Sequence, residues 1–147
     1  MDFTGTLAIS GSALSAERTR LDAIASNLAN ASTTRTPEGG PYKRRNVVFT
    51  SQPLETEFGS TLAETLAEEG ARQGVAVTDL VEDRTPPRMV FDPSHPDANP
   101  DGYVAYPNVE PMTETIDLMA ATRAYEANVQ VVDATRRMAE AALGIGG

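Results

Sequence analysis

The residues of this chain best equipped for chemistry lie between Asp92 and Asp101. Asp92, Ser94, His95, Asp97 and Asp101 combine carboxylate oxygens with the only imidazole, a set that suits a divalent cation. Ser94 beside His95 also suggests a nucleophile next to its base. The spacing argues against both. It matches no metal loop, His95 sits between Pro93 and Pro96 without an orienting partner, and adjacency in sequence is not triad geometry. Asp, Asn, Ser and Pro are the residues of tight turns and account for the segment, so no catalytic residue, metal site or cofactor is expected.

A second cluster is Lys43, Arg44 and Arg45, three cations in a row ahead of Val47, Val48 and Phe49. Phosphate binding at such a cluster normally relies on a glycine-rich loop or a helix start, and neither accompanies it. A solvated strand edge fits better.

The elements around these clusters are dominated by two long helical patterns. Pro111 to Leu143 runs without internal Gly or Pro, which at helical rise makes a rod of roughly 50 Å. Pro111 suits a first helical position, Glu110, Glu114 and Asp117 place negative charge at the positive end of the dipole, and Gly144 offers a left-handed cap. Leu118, Tyr125, Val132 and Ala139 recur every seven residues, with Ala121, Val129 and Leu143 interleaved, a narrow seam of coiled-coil kind. Asn128, Thr135 and Arg136 fall on or beside it. The pattern therefore favours packing in a multi-helix assembly over an isolated zipper.

At the other end Leu7, Leu14, Leu21 and Leu28 repeat the seven-residue spacing within a helix over residues 3–31, with Ile24 and Ala25 filling in. Gly11 costs about 1 kcal/mol against Ala inside a helix, so this segment depends on packing partners. Pro37, Gly39, Gly40 and Pro41 end it in a loop. Tyr42–Thr50, Val75–Val81, Arg88–Phe91 and Tyr103–Tyr106 read as strands. Asn99-Pro100-Asp101-Gly102 has the residues of a type I turn in order, and Glu55–Gly70 fits a short acidic helix or a loop. The fold class expected is α+β: long terminal helices paired as an antiparallel coiled coil with a small β-rich insert. The segments are 1–35, 36–109 and 110–147.

Composition sharpens this. Only 5% of the 147 residues are aromatic and none is Trp, so the core is lean and folding alone is marginal. With no Cys, disulfides, thiolate metal sites and a Cys nucleophile are excluded. Residues 51–110 hold three Lys/Arg against twelve Asp/Glu, which disfavours nucleic-acid binding. No basic segment leads into an apolar run of signal-peptide kind, and no stretch reaches the length of a membrane span. The chain is expected to be soluble when made and to cross any membrane uncut.

Two motifs resemble a known family. Asn27-Leu28-Ala29-Asn30-Ala31-Ser32-Thr33 is similar to the N-terminal signature of the bacterial flagellar rod and hook proteins, and Ala121-Thr122-Arg123-Ala124-Tyr125-Glu126-Ala127-Asn128-Val129 to their C-terminal one. The run Pro37 to Arg45 and the stretch Asp92 to Val109 resemble a proximal-rod member. Thr122 stands where the family more often has Ser, and residues 55–73 match nothing in it. The resemblance implies a structural subunit of the basal-body rod in the periplasm, exported without a cleaved signal peptide through the flagellar type III apparatus. Its partners would be copies of itself, other rod proteins, and the membrane ring with its adaptor.

Carried over by position, the assembly residues are Leu7, Leu14, Leu21, Ile24, Asn27, Leu28, Asn30, Leu118, Ala121, Tyr125, Asn128, Val129 and Val132, with Lys43, Arg44 and Arg45 as charged contacts. Asn27, Asn30 and Asn128 are expected to fix register between helices through their amides. The rival from another class is a soluble helical-hairpin adaptor that binds a partner in a groove. An enzyme is disfavoured, because nucleophile, base and oxyanion donor do not converge.

Overall fold

The computed structural model describes residues 3–53 and 73–145. The expected element at Glu55–Gly70 lies outside the described residues. In chain order the elements are α1 (Phe3–Ala29), β1 (Arg45–Pro53), β2 (Gln73–Glu82), β3 (Arg88–Phe91), β4 (Tyr103–Tyr106) and α2 (Pro111–Ile145). This is an α+β arrangement with two long terminal helices. No helix among the described residues is long and apolar enough to cross a membrane.

The strands form two small sheets, one of β1 with β2 and one of β3 with β4. β3 and β4 are antiparallel, pairing Arg88 with Tyr106, Met89 with Ala105, Val90 with Val104 and Phe91 with Tyr103. The period-two alternation of strand side chains puts Val104 on the inner face, where it is fully buried. Phe91 and Tyr103 on the other face meet edge-on with ring centroids 5.3 Å apart.

The β3–β4 connection closes on the expected turn. Gly102 N–H donates to the Asn99 carbonyl at 2.9 Å, and the Asn99 side-chain oxygen accepts from the backbone of Asp101 and Tyr103 at 3.0 and 2.8 Å. Gly102 takes φ +82°, and a Cβ there would lie 2.9 Å from Phe91 Cε2. Only glycine meets both demands.

The chain divides into two compact units, and the division runs across both helices. One comprises Met1–Thr19, Phe49–Thr78 and Thr122–Gly147. Its buried positions on the helices are small or polar, Gly5, Ser10, Ala16 and Thr135, and Ser12 Oγ accepts from Val75 N at 3.1 Å, tying α1 to β2. The other comprises Arg20–Val48 and Asp79–Ala121, with Ala23, Ile24, Tyr42, Val104, Val109 and Ala121 buried.

Along α2 the less exposed positions include a row of Glu114, Leu118, Ala121, Tyr125, Asn128, Val132, Thr135 and Ala139, with Asp117 and Ala124 half-buried beside it, and the row is spaced alternately four and three residues apart as in a coiled-coil seam. Two expected seam residues are not on this row. Val129 lies at its exposed flank and Leu143 is 79% exposed. After the four-residue step from Ala121 to Tyr125 the row requires a three-residue step, which lands on Asn128. That polar residue is tolerated because its amide donates to the Ala124 carbonyl of its own helix at 3.0 Å, and Thr135 does the same to Val131 at 2.8 Å.

On α1, Leu14, Leu21 and Leu28 are half-buried and Leu7 is exposed at the edge of the stripe. The helix also ends differently from expectation at the other terminus: α2 continues through Gly144 to Ile145, and Gly144 is not among the positive-φ glycines. Substituting Gly102→Ala is expected to destabilise the protein by about 1–2 kcal/mol through combined strain and contact with Phe91, measured as a lowered urea midpoint.

Candidate functional site

The most constrained group of side chains is a buried polar latch where the end of α1 meets the start of α2. It begins with an acid in an apolar place. Glu114 lies in the first turn of α2, on the row that continues through Leu118 and Ala121, and is completely buried. An isolated buried carboxylate is strongly unfavourable, so its oxygens need partners. Arg44 Nε donates to Oε1 at 2.5 Å and Asn27 Nδ2 to Oε2 at 3.1 Å. The position inside the first helical turn also places the negative charge at the positive end of the α2 dipole.

Asn27, 1% exposed, is the junction of this network. Its Nδ2 also donates to the Arg45 carbonyl at 2.9 Å, and its Oδ1 accepts from Arg45 N–H and from the Tyr42 hydroxyl, each at 2.9 Å. One amide thus joins α1, the entry to β1 and α2, using all of its donor and acceptor groups. Arg44 is spread over Glu114, Asn46 Oδ1 at 2.5 Å and Asp117 at 3.5 Å. Its backbone carbonyl accepts from Asp83 N–H at 2.7 Å, which holds the end of β2 to the same place.

The three expected asparagines therefore divide. Asn27 links separate elements, whereas Asn30, just past the end of α1, donates to Ser26 O at 2.9 Å and accepts from the Thr33 hydroxyl at 3.1 Å, and Asn128 donates to Ala124 O within α2. The three cations divide as well. Arg44 turns inward to Glu114. Lys43 pairs with Glu82 at 3.2 Å with both side chains exposed, a pair of little energetic weight, and the Arg45 guanidinium stands 5.9 Å over the Tyr42 ring. In the sequence Glu114 reads only as a dipole acid, and Tyr42 only as the first residue of a strand. The signal for Glu114 was its place four residues before Leu118, on the seam.

The Asp92–Asp101 cluster is dispersed by the fold. Ser94 donates to Asp92 Oδ1 through hydroxyl and N–H at 2.6 and 3.1 Å. His95 Nδ1 accepts from Asp97 N–H at 3.1 Å, while Asp97 accepts from the Thr34 hydroxyl at 2.7 Å. Each group closes a local turn or a loop contact. Among the described residues no three His, Cys, Asp or Glu side chains are grouped to hold a metal.

Two family models match these elements. One, described as flagella basal body rod protein, covers residues 7–35, and the other, described as flagellar basal body rod FlgEFG protein C-terminal, covers residues 101–145. The latch joins the two matched regions. The class so defined is the structural rod subunit of the flagellar basal body, which is not an enzyme.

Similar proteins span nearly the whole chain. The flagellar basal-body rod protein FlgC of Bacillus subtilis is 44% identical, with 96% of each chain covered. That of Borreliella burgdorferi is 36% identical over 99% of this chain and 98% of its own, and that of Salmonella typhimurium 36% over 94% and 93%. This chain belongs to the FlgC family of rod proteins.

Removing one side of the latch is expected to be far worse than removing both. Arg44→Met should cost about 3–5 kcal/mol by leaving Glu114 charged and buried. Arg44→Met combined with Glu114→Leu should recover most of that, because Asn27 keeps its bonds to the Arg45 backbone; urea midpoints of the singles and the double decide it.

The pH response is separate. The Ser94 hydroxyl first, then its N–H, holds the Asp92 carboxyl below its ordinary 3.8. A folded value below the unfolded one adds stability that is complete above the ordinary value and lost as pH falls through the folded one. Asp92→Asn should therefore flatten the acid limb of stability below pH about 4, read from thermal midpoints across pH.

Proposed function

We propose that this chain occupies the proximal part of the rod, where it forms part of the drive shaft and of the wall of the export channel. Its segments 1–35 and 110–147 pair as an antiparallel coiled coil, and 36–109 forms an outer β-rich domain. The observation that carries this reading is the Asn27–Glu114 bond, 3.1 Å long and buried, which joins the end of one terminal helix to the start of the other. Helices that meet in this order and fold back along each other run antiparallel.

The seam residues Leu14, Leu21, Ile24, Leu28, Leu118, Ala121, Tyr125, Asn128 and Val132 supply the pairing, and Leu7, Asn30 and Val129 lie at its margin toward neighbouring subunits. Charged contact between subunits falls to Lys43 and Arg45, since Arg44 is engaged with Glu114. Partners are copies of this chain, other rod proteins, and the membrane ring with its adaptor. The chain reaches the periplasm through the flagellar export apparatus with its N-terminus uncut.

Assembly is coupled to ordering of the terminal helices. Several of their buried residues are Ser10, Ala16, Ala23, Ala121 and Thr135, which bury little apolar area. Helical order in a free subunit is correspondingly weak, and neighbours supply the missing burial as each subunit joins. Growth of an open helical structure needs unlike surfaces on the two sides of the subunit.

Two measurements test this. Amide exchange should show weak protection over residues 5–30 and 112–140 in a demonstrated monomer and strong protection in purified basal bodies. Strong protection in the monomer refutes coupled ordering. N-terminal sequencing of the chain recovered from basal bodies should find no internal cleavage, and its absence from the proximal rod would overturn the placement.

A further inference from the structure

His95 is the only histidine of the chain, and histidine is the one side chain whose charge ordinarily changes between about pH 5 and 8. The fold gives its ring a definite task. Nδ1 accepts from the Asp97 N–H at 3.1 Å, in a turn also closed by His95 N–H on the Asp92 carbonyl at 3.3 Å and by Ala98 N–H on the His95 carbonyl at 3.1 Å. A ring that accepts at Nδ1 is neutral and carries its proton on Nε2. It meets the Tyr106 ring of β4 edge-on, with centroids 6.2 Å apart.

Asp97 ties this turn to the loop that joins α1 to β1. Its Oδ2 accepts from the Thr34 hydroxyl at 2.7 Å, and its Oδ1 stands 3.9 Å from the guanidinium of Arg35, whose side chain is 80% exposed. A cavity of about 350 Å³ lies between the two loops, bordered by Thr34, Arg35, Gly40, Pro41, Pro96 and Asp97. The Asp97 carboxylate therefore has room to turn.

We propose that His95 is a proton-operated switch, which on taking up a second ring proton withdraws Asp97 from Thr34 and unties the loop between α1 and β1. The inference goes beyond the rod reading and does not depend on it. A proton on Nδ1 turns the acceptor of the Asp97 N–H into a donor, and two N–H groups facing each other at the present 3.1 Å repel. The ring must swing away, and its cationic N–H groups then need an anion.

The charged or titratable groups around it are Asp92 and Asp97 on the same turn, Tyr106 on β4 with Arg88 opposite it in the ladder, and Arg35 beside the cavity. Asp92 is already engaged: the Ser94 hydroxyl and then its N–H hold its carboxyl low, and the nearby His95 adds to this. Asp97 has less to lose. A bond from a neutral hydroxyl and an exposed pair at 3.9 Å are weaker than a charge-assisted bond from an imidazolium, so Asp97 exchanges Thr34 for His95. Tyr42 N–H still closes the base of the loop on the Thr33 carbonyl, which confines the change to residues 34–41 and leaves the latch shut.

NMR of the isotope-labelled full chain between about pH 8 and pH 5 tests this. The amide resonances of Asp97 and of residues 34–40 should move with the midpoint of the His95 ring, and protection of the Asp97 amide against exchange should fall at least about tenfold over the interval. His95→Asn keeps an acceptor for the Asp97 N–H that does not titrate in this range. It should abolish the transition and retain the resonance positions of the high-pH state. Thr34→Val removes the loop's end of the tie, so His95 and Asp97 should still respond while residues 34–40 no longer follow. A His95 ring that titrates without movement at residues 34–40, a transition that persists in His95→Asn, or an Asp97 amide already unprotected at the high-pH end overturns the proposal.

Discussion

A carboxylate with no access to water governs much of this structure. Glu114 is completely buried, and a charge so placed is tolerable only with nearly ideal partners. Meeting that demand draws in residues distant in sequence. Arg44 must approach from the strand entry, Asn27 from the end of α1, and Tyr42 and the Arg45 backbone must then satisfy the rest of the Asn27 amide. The loop from Thr33 to Tyr42 is thereby fixed in length and direction, and Tyr42 N–H closes it on the Thr33 carbonyl at 3.1 Å. A hydrophobic cluster of the same size would hold the elements together but would admit several registers. The directional bonds of the latch admit one.

This division of labour suits a lean composition. With 5% aromatic residues and Ala at many buried positions, close packing cannot come from bulky side chains that lock by shape. Polar groups take over that role at the helix junction, while Asn128 and Thr135 are accommodated on the α2 seam by turning their donors back to their own helix. A seam of this kind tolerates polar residues without demanding a particular partner. Specificity is concentrated at the junction and adaptability is left to the faces.

The structural consequence is a subunit in which the meeting point of the two helices is fixed by directional bonds while the rest of their length is packed through small side chains. An axial protein must meet neighbours that are similar but not identical, and surfaces rich in small residues and methionine serve that need better than rigid aromatic anchors do. The exposed apolar stripe at the start of α2 and the buried latch beneath it are two sides of one short segment. One fixes where the helix begins, and the other leaves Met112, Ile116 and Met119 exposed.

Much of the fold was legible from local pattern. The terminal helices, the strands at 88–91 and 103–106, and the Asn99–Gly102 turn follow from periodicity, proline and turn chemistry, because these depend on neighbours a few residues apart. The family signatures were also plain in sequence, since they are contiguous. Which polar residues act across elements was not. Asn27, Asn30 and Asn128 look alike in sequence, and only the first reaches another element, because only it lies where α1, β1 and α2 converge. Arg44 reads as one cation of three, and it is the tertiary structure that turns it toward Glu114. Val129 looks like a better seam residue than Asn128 by apolarity, yet the alternation of four and three residues around a helix decides the seam by geometry. Local chemistry sets the elements, and the desolvation of one carboxylate sets which distant groups must meet.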